Sequence, residues 1–242
     1  MSMTFDLVVE VGLRRGLCAP FLYFRRYVTR TLCLFIILFF SCEDAIPDST
    51  ARFEVTIQNL SSGEFATGLS KGIYLLKKDG FPLYFSGAQD YGEGLEELAE
   101  DGEVAVLVDN LSLRNEVIEV DSFRLLLPGE QLKFNFSAEY GTFFNFATMF
   151  IESNDLFYSF NEDGIPLFEP NGEPVKGDFT SLIWLWDLGT EFNEAPFEGD
   201  NQAVRQNNPG EGDFEGGRVR LVNDTFSYPS RYSTIRVTIN PL

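Results

Sequence analysis

A chain of 242 residues suffices for one large domain or two small ones, and with 44% hydrophobic residues it can build a sizeable core. The 37 acidic against 18 basic side chains, net −19, exclude the basic footprint of a nucleic-acid binder. Histidine is absent, which excludes Ser-His-Asp triads, Cys-His dyads and imidazole-dependent zinc sites.

The first feature in chain order is an address. Arg25, Arg26 and Arg30 precede the apolar run from Leu32 to Phe40, nine residues long, which suits a signal peptide and is too short to span a bilayer. Ser41 and Cys42 follow at once. A small residue before a cysteine after such a run resembles the bacterial lipobox, where the leader is cut before the cysteine and the cysteine is lipidated. Residues 1–41 are therefore expected to be a lipoprotein signal peptide, Cys42 the lipidation site, and residues 42–50 an acidic tether containing Glu43, Asp44 and Asp48. Residues 1–41 hold five arginines against Asp6 and Glu10, so the remainder carries 13 basic and 35 acidic groups, net −22. Cys18, Cys33 and Cys42 are the only cysteines, so any metal site beyond them must be made of oxygens, which suits calcium or magnesium.

The body, residues 51–242, begins with an alternation: Phe53, Val55 and Ile57 on one face, Glu54, Thr56 and Gln58 on the other. Period two means a half-buried strand. Ile73 to Leu76 and Leu83 to Phe85 flank Asp79-Gly80, a hairpin signal. Leu95, Leu98 and Ala99, then Val104, Leu107, Val108 and Leu111, have helical spacing, although β-branching leaves a strand open in the second half. Val117 to Leu127 is a long apolar-rich stretch ended by Pro128-Gly129, and Leu132, Phe134 and Phe136 alternate with polar residues. Phe143 to Ile151, aromatic on both faces, and the apolar Leu182 to Trp186 read as central strands, and alternation turns Trp184 and Trp186 together toward the core. Asn171-Gly172 marks a second hairpin, Asn193 to Gly217 a long surface loop, and Ile235, Val237 and Ile239 a last half-buried strand. Eight or more short strands without a βαβ rhythm predict an all-β, antiparallel β-sandwich with a short helical insertion.

Two acidic loops carry the chemistry. Asp155 follows the aromatic strand, in Ser153-Asn154-Asp155-Leu156-Phe157, and Asp187 ends another, in Asp187-Leu188-Gly189-Thr190-Glu191. Two acids four apart around a glycine curve toward one point, so Asp155, Asp187 and Glu191 are either solvated loop acids or an oxygen cage at one pole of the sandwich. An EF-hand is rejected, because Ser159 stands at its first position and Pro170 at its twelfth. A glycosidase carboxylate pair would need an aromatic-walled cleft, for which Trp184 and Trp186 are the nearest material.

At these loops the sequence resembles the spondin domain, whose members carry Ser-Pro-Asp-Trp-Phe followed some thirty residues on by Asp-Ala-Gly-Thr-Asp. Bacterial members look closer still, sharing Phe146-Ala147-Thr148-Met149, the stretch Asn201-Gln202-Ala203-Val204-Arg205-Gln206, and the approach from Leu221-Val222-Asn223-Asp224 to Tyr228-Pro229. The resemblance covers roughly Phe53 to Ile239. It implies a sandwich related to the calcium-dependent lipid-binding domains, with Ca2+ held by Asp155, Asp187 and Glu191, the last a glutamate where the animal motif has aspartate. The expected function is that of a calcium-binding, non-enzymatic cell-envelope lipoprotein of a Gram-negative bacterium. It would be lipid-anchored in the outer membrane, at the cell surface or in the periplasm, and would act in adhesion or in binding a glycan, envelope or matrix protein. Contact with a membrane is expected only through the anchor, with no nucleic acid as partner. The alternative is a carbohydrate-processing or carbohydrate-binding accessory protein using the acids and tryptophans of residues 184–191.

Overall fold

A computed structural model describes residues 49–242. The expected leader 1–41, Cys42 and the tether as far as residue 48 lie outside the described residues. The elements in chain order are β1 (Thr50–Asn59), β2 (Leu69–Lys78), α1 (Leu95–Asp101), α2 (Ala105–Ser112), β3 (Val117–Phe123), β4 (Gln131–Glu139), β5 (Thr142–Phe150), β6 (Leu156–Ser159), β7 (Ile165–Pro166), β8 (Gly177–Asp178), β9 (Trp184–Asp187), β10 (Arg220–Leu221), α3 (Arg231–Thr234) and β11 (Ile235–Pro241).

The strands form two antiparallel sheets. One has four strands in the order β4-β1-β11-β8, the other seven in the order β10-β9-β6-β5-β2-β3, with β7 also on β5. The fold is therefore an all-β sandwich with few helices. The two alternating ends of the body pair with each other, Val55 with Ile239 and Ile57 with Val237, so the first and last strands lie side by side in the centre of the smaller sheet. Their inward residues are fully buried against the larger sheet, in a core rich in phenylalanine. Phe53 meets Phe168 edge-on at 5.6 Å, and Phe136 stacks on Phe144 at 5.8 Å. Each such ring, fully buried, contributes about 1.5–3 kcal/mol before conformational entropy is counted.

The larger sheet is covered on its other face as well. Leu95, Leu98 and Ala99 of α1 and Leu107 and Leu111 of α2 pack on Ile73, Leu75, Ala147, Phe157 and Trp186. Both halves of the 95–111 segment are helical, and Gly102, with φ +68°, ends α1 with its N–H on Leu98 O at 3.0 Å. This second core explains why β5 is apolar on both faces, since it lies between two cores as a central strand should.

Three expectations are corrected. Leu83 to Phe85 forms no strand, and β2 pairs with β3 and β5. The Asp79-Gly80 turn leads instead into irregular chain whose Leu83 and Tyr84 are buried in the second core, where the Tyr84 hydroxyl donates to Phe160 O at 2.7 Å. The strand expected from Leu182 begins only at Trp184, because Thr180–Leu182 is a 3-10 turn. Trp186 is in the core, its indole N–H donating to Phe160 O at 2.9 Å, but Trp184 is 40% exposed. The Asn171-Gly172 turn does fold back on itself, through a single bridge from Phe168 to Pro174.

Candidate functional site

β5 runs out at Phe150, and the chain makes a short irregular loop before β6 starts at Leu156. β9 runs antiparallel to β6 with Leu156 opposite Asp187. Asp155, one residue before β6, and Asp187, the last residue of β9, therefore reach the same pole of the sandwich. The Leu188 N–H also donates to Asp155 O at 3.3 Å.

The third acid arrives through a turn. Gly189 sits at φ +80°, and a Cβ there would come within 2.5 Å of Arg218 N, so the position requires glycine. The turn aims three donors at one carboxylate oxygen. Thr190 N (2.8 Å), Glu191 N (3.1 Å) and Thr190 Oγ1 (3.3 Å) all donate to Asp155 Oδ2. Glu191 is thus tied to Asp155 through its backbone, while its Oε1 accepts from Gly212 N at 2.9 Å. Asp187 Oδ2 accepts from Asn193 Nδ2 at 2.8 Å and faces Arg220 Nη2 at 2.8 Å, an arginine that also binds Glu215 at 2.9 Å. On the other side Asn154 accepts from Glu194 N (3.0 Å) and donates to Glu194 Oε2 (3.1 Å), which ties the 151–155 loop to the long loop beyond residue 193.

The remaining oxygens define the site. Among the described residues, Asp155 Oδ1 and Asp187 Oδ1 are buried and have no hydrogen-bond partner. A buried carboxylate oxygen without a partner carries its desolvation cost uncompensated. Burial, the largest cause, raises the Asp155 carboxyl against the pull of its backbone donors. Burial pushes Asp187 up to about 7, with the Asp155 charge adding and Arg220 opposing. Burial likewise pushes Glu191 up to about 7, where the Gly212 N–H opposes it and the Asp155 charge adds. A fourth acid, Glu100 near the end of α1, is pushed up to about 8 by burial and then by Glu191, Glu96 and Asp155. The pole therefore holds carboxylates in one another's field with one paired arginine among them.

All three sequence-predicted acids thus lie together around the Gly189 turn. In donor type they fit a hard divalent cation, since every available ligand is an oxygen and two of those oxygens are buried and unpartnered. Among the described residues, however, no group of three or more His, Cys, Asp or Glu is drawn up at ligating positions. Sequence reading missed Glu100, Arg220 and Asn193. Glu100 stands on a helix next to Leu98 and Ala99 with no spacing signal that separates it from a solvated face. Arg220 reaches Asp187 only because β10 pairs with β9, a two-residue ladder that no periodicity betrays.

The tryptophans are divided from the acids. Trp184 lines a groove of about 390 Å³ together with Tyr158, Tyr228, Arg231 and Tyr232, and no carboxylate belongs to its lining. No family model matches the chain, and no curated protein matches it significantly. No helix among the described residues is long and apolar enough to cross a membrane.

Proposed function

We propose that the chain is a calcium-binding, non-enzymatic domain of the spondin type, carried on a cell-envelope lipoprotein anchored through Cys42, and that it binds an extracellular macromolecule. The observation that carries the reading is the pair of buried, partnerless oxygens on Asp155 and Asp187 at the ends of neighbouring strands. Asp155 and Asp187 would hold the ion, with Glu191 joining through its longer arm and backbone carbonyls and water completing six to eight ligands. A bound cation would supply the positive charge that like-charged, buried carboxylates require, since two such charges about 5 Å apart repel by roughly 3 kcal/mol at an effective dielectric near 20. The ion's role would be to hold the 151–155 and 187–191 loops in one arrangement.

Calcium titration of the full chain in neutral detergent, by calorimetry, tests the metal. Saturable uptake with a dissociation constant of about 10⁻⁴ to 10⁻³ M, as in extracellular calcium modules, is expected, and Asp155→Asn should weaken it at least about tenfold. Absence of saturable uptake up to about 10 mM would overturn the reading. The anchor is tested by intact mass of the membrane-extracted protein. The mature chain should begin at an acylated Cys42, and an unmodified thiol or an uncleaved leader would refute it.

A further inference from the structure

Each sheet of the sandwich ends in two edge strands, and the four edges are not alike. β8 and β10 are two residues each and offer little backbone to pair with. β3 is longer, but its ladder with β2 shifts register between Leu76 and Lys77, and it carries acids on its core side. Glu119 stands opposite Leu76 and Asp121 opposite Tyr74, both core residues, and Glu119 Oε1 accepts from the Tyr74 hydroxyl at 2.6 Å. Inward charge and a broken register both blunt an edge against further pairing.

β4 has neither. It matches β1 residue for residue from Thr50–Glu139 to Gln58–Gln131 without a shift, and it contains no proline. Its core-side Leu132 and Phe134, with Tyr140 just past its end, are only partly buried. The ends of the ladder show which backbone groups face outward. Asn59 N–H donates to Glu130 O at 2.9 Å and Tyr140 N–H to Ser49 O at 2.8 Å, so the even-numbered residues turn their backbone toward β1. The N–H and C=O groups of Lys133, Asn135, Ser137 and Glu139 therefore point away from it. Among the described residues no strand lies on that side, and the one hydrogen bond to the outer backbone of β4 comes from Arg124 Nη2, 3.5 Å from Gln131 O.

We infer that β4 is the pairing edge of a homodimer, in which two copies join antiparallel about a two-fold axis at Phe136 and the smaller sheet runs on from one copy into the other. The inference does not rest on the calcium reading. Lys133 and Glu139 stand three residues to either side of Phe136, so the axis sets each lysine opposite the partner's Glu139 and each Asn135 opposite the partner's Ser137. These are the residues whose backbone groups face outward, and their four pairs close about eight hydrogen bonds. On the core side Phe134 meets the partner's Ala138 and Leu132 meets the partner's Tyr140, which covers the partly exposed apolar side chains. A slip of two residues in either direction sets Lys133 opposite Ser137 or Gly141 and loses both ion pairs. A slip of one sets the polar face against the apolar one. A second copy is favoured over a foreign strand because β4 carries its own complement, one cation and one anion placed symmetrically about its centre. The net charge of −19 opposes self-association elsewhere and keeps the affinity modest.

Sedimentation velocity of the full chain in density-matched neutral detergent and chelator, from about 5 to 500 µM, tests the inference. A single strand pair is a small interface, so the mass should rise from one copy to two with a dissociation constant in the micromolar range, about 10–100 µM. Asn135→Pro should leave the protein folded but monomeric, because an edge strand tolerates proline where its N–H faces solvent and the dimer needs that N–H. Lys133→Glu places like charges opposite each other twice and should weaken the dimer at least about fivefold. The exchange Lys133→Glu with Glu139→Lys should restore it to within about threefold, which a disturbance of the fold would not do. A monomer at every concentration, association that survives both single variants, or an exchange that restores nothing would overturn the inference.

Discussion

Lys77 is a basic residue in an apolar setting. It is the last residue but one of β2, where the register against β3 shifts between Leu76 and Lys77, and among the described residues it is fully buried with no hydrogen-bond partner for its ammonium. Among the described residues, the Phe143 ring, 5.4 Å away, and the charges of Asp163 and Asp79 partly compensate it. Burial, the largest cause, lowers its pKa to about 8. The folded protein thus gives up this proton at lower pH than the unfolded chain, which holds it to about 10.5. Between those values the unfolded state binds more protons, so this residue's contribution to stability rises with pH and is most unfavourable below pH 8. Lys77→Met should therefore stabilise the protein at pH 7, by about 1–3 kcal/mol, as an uncompensated buried charge is replaced by a thioether of similar volume. In denaturant melts the difference between variant and wild type should shrink from pH 8 to pH 10.5. A variant less stable than wild type at pH 7, or a difference independent of pH, would show that Lys77 is satisfied where it lies.

Elements were legible in the sequence where one face is solvated. β1, β4 and β11 alternate because a sheet face meets water, and the helical spacing of 95–111 survives because α1 and α2 cover the larger sheet from outside. The Asp79-Gly80 hairpin was misleading for a physical reason. Leu83 and Tyr84 are apolar because they fill the second core, and the same residues written in a strand would look no different. Trp184 misled likewise: alternation places it with Trp186, yet the core ends before it, and Arg231 takes the place of an apolar cover. Of the site, Asp155, Asp187 and Glu191 were legible because strand ends and a glycine turn bring acids together by local rules. Arg220, Asn193 and Glu100 were not, because each reaches the pole through tertiary packing that a linear pattern does not encode.

For the whole molecule, the acidic loops lie at one end of the sandwich and the start of β1 at the other. β1 starts at Thr50 opposite Glu139 and ends at Asn59, nine residues or about 30 Å on, and the Asn59 amide donates to Leu126 O and Thr67 O. Leu126 is bridged to Leu69, and Leu69 pairs with Phe150, so the far end of β1 shares its pole with the loop that bears Asp155. Thr50, where β1 begins, thus lies at the pole opposite the acids. The account's central claim is that those loops hold a divalent ion. The most direct measurement is the thermal midpoint of the full chain in chelator and in calcium at a hundredfold excess over its dissociation constant, for wild type and Asp187→Asn, with magnesium at equal ionic strength as control. Linkage at that excess gives about 2.7 kcal/mol, and at about 2–4 °C per kcal/mol for a domain of this size the wild-type midpoint should rise by roughly 5–10 °C. Magnesium, which holds its water and demands tight octahedral geometry, should raise it less, and Asp187→Asn should abolish most of the rise while still melting cooperatively. An equal wild-type midpoint with and without calcium would contradict the claim and leave Asp155, Asp187 and Glu191 as loop acids with no ion to hold.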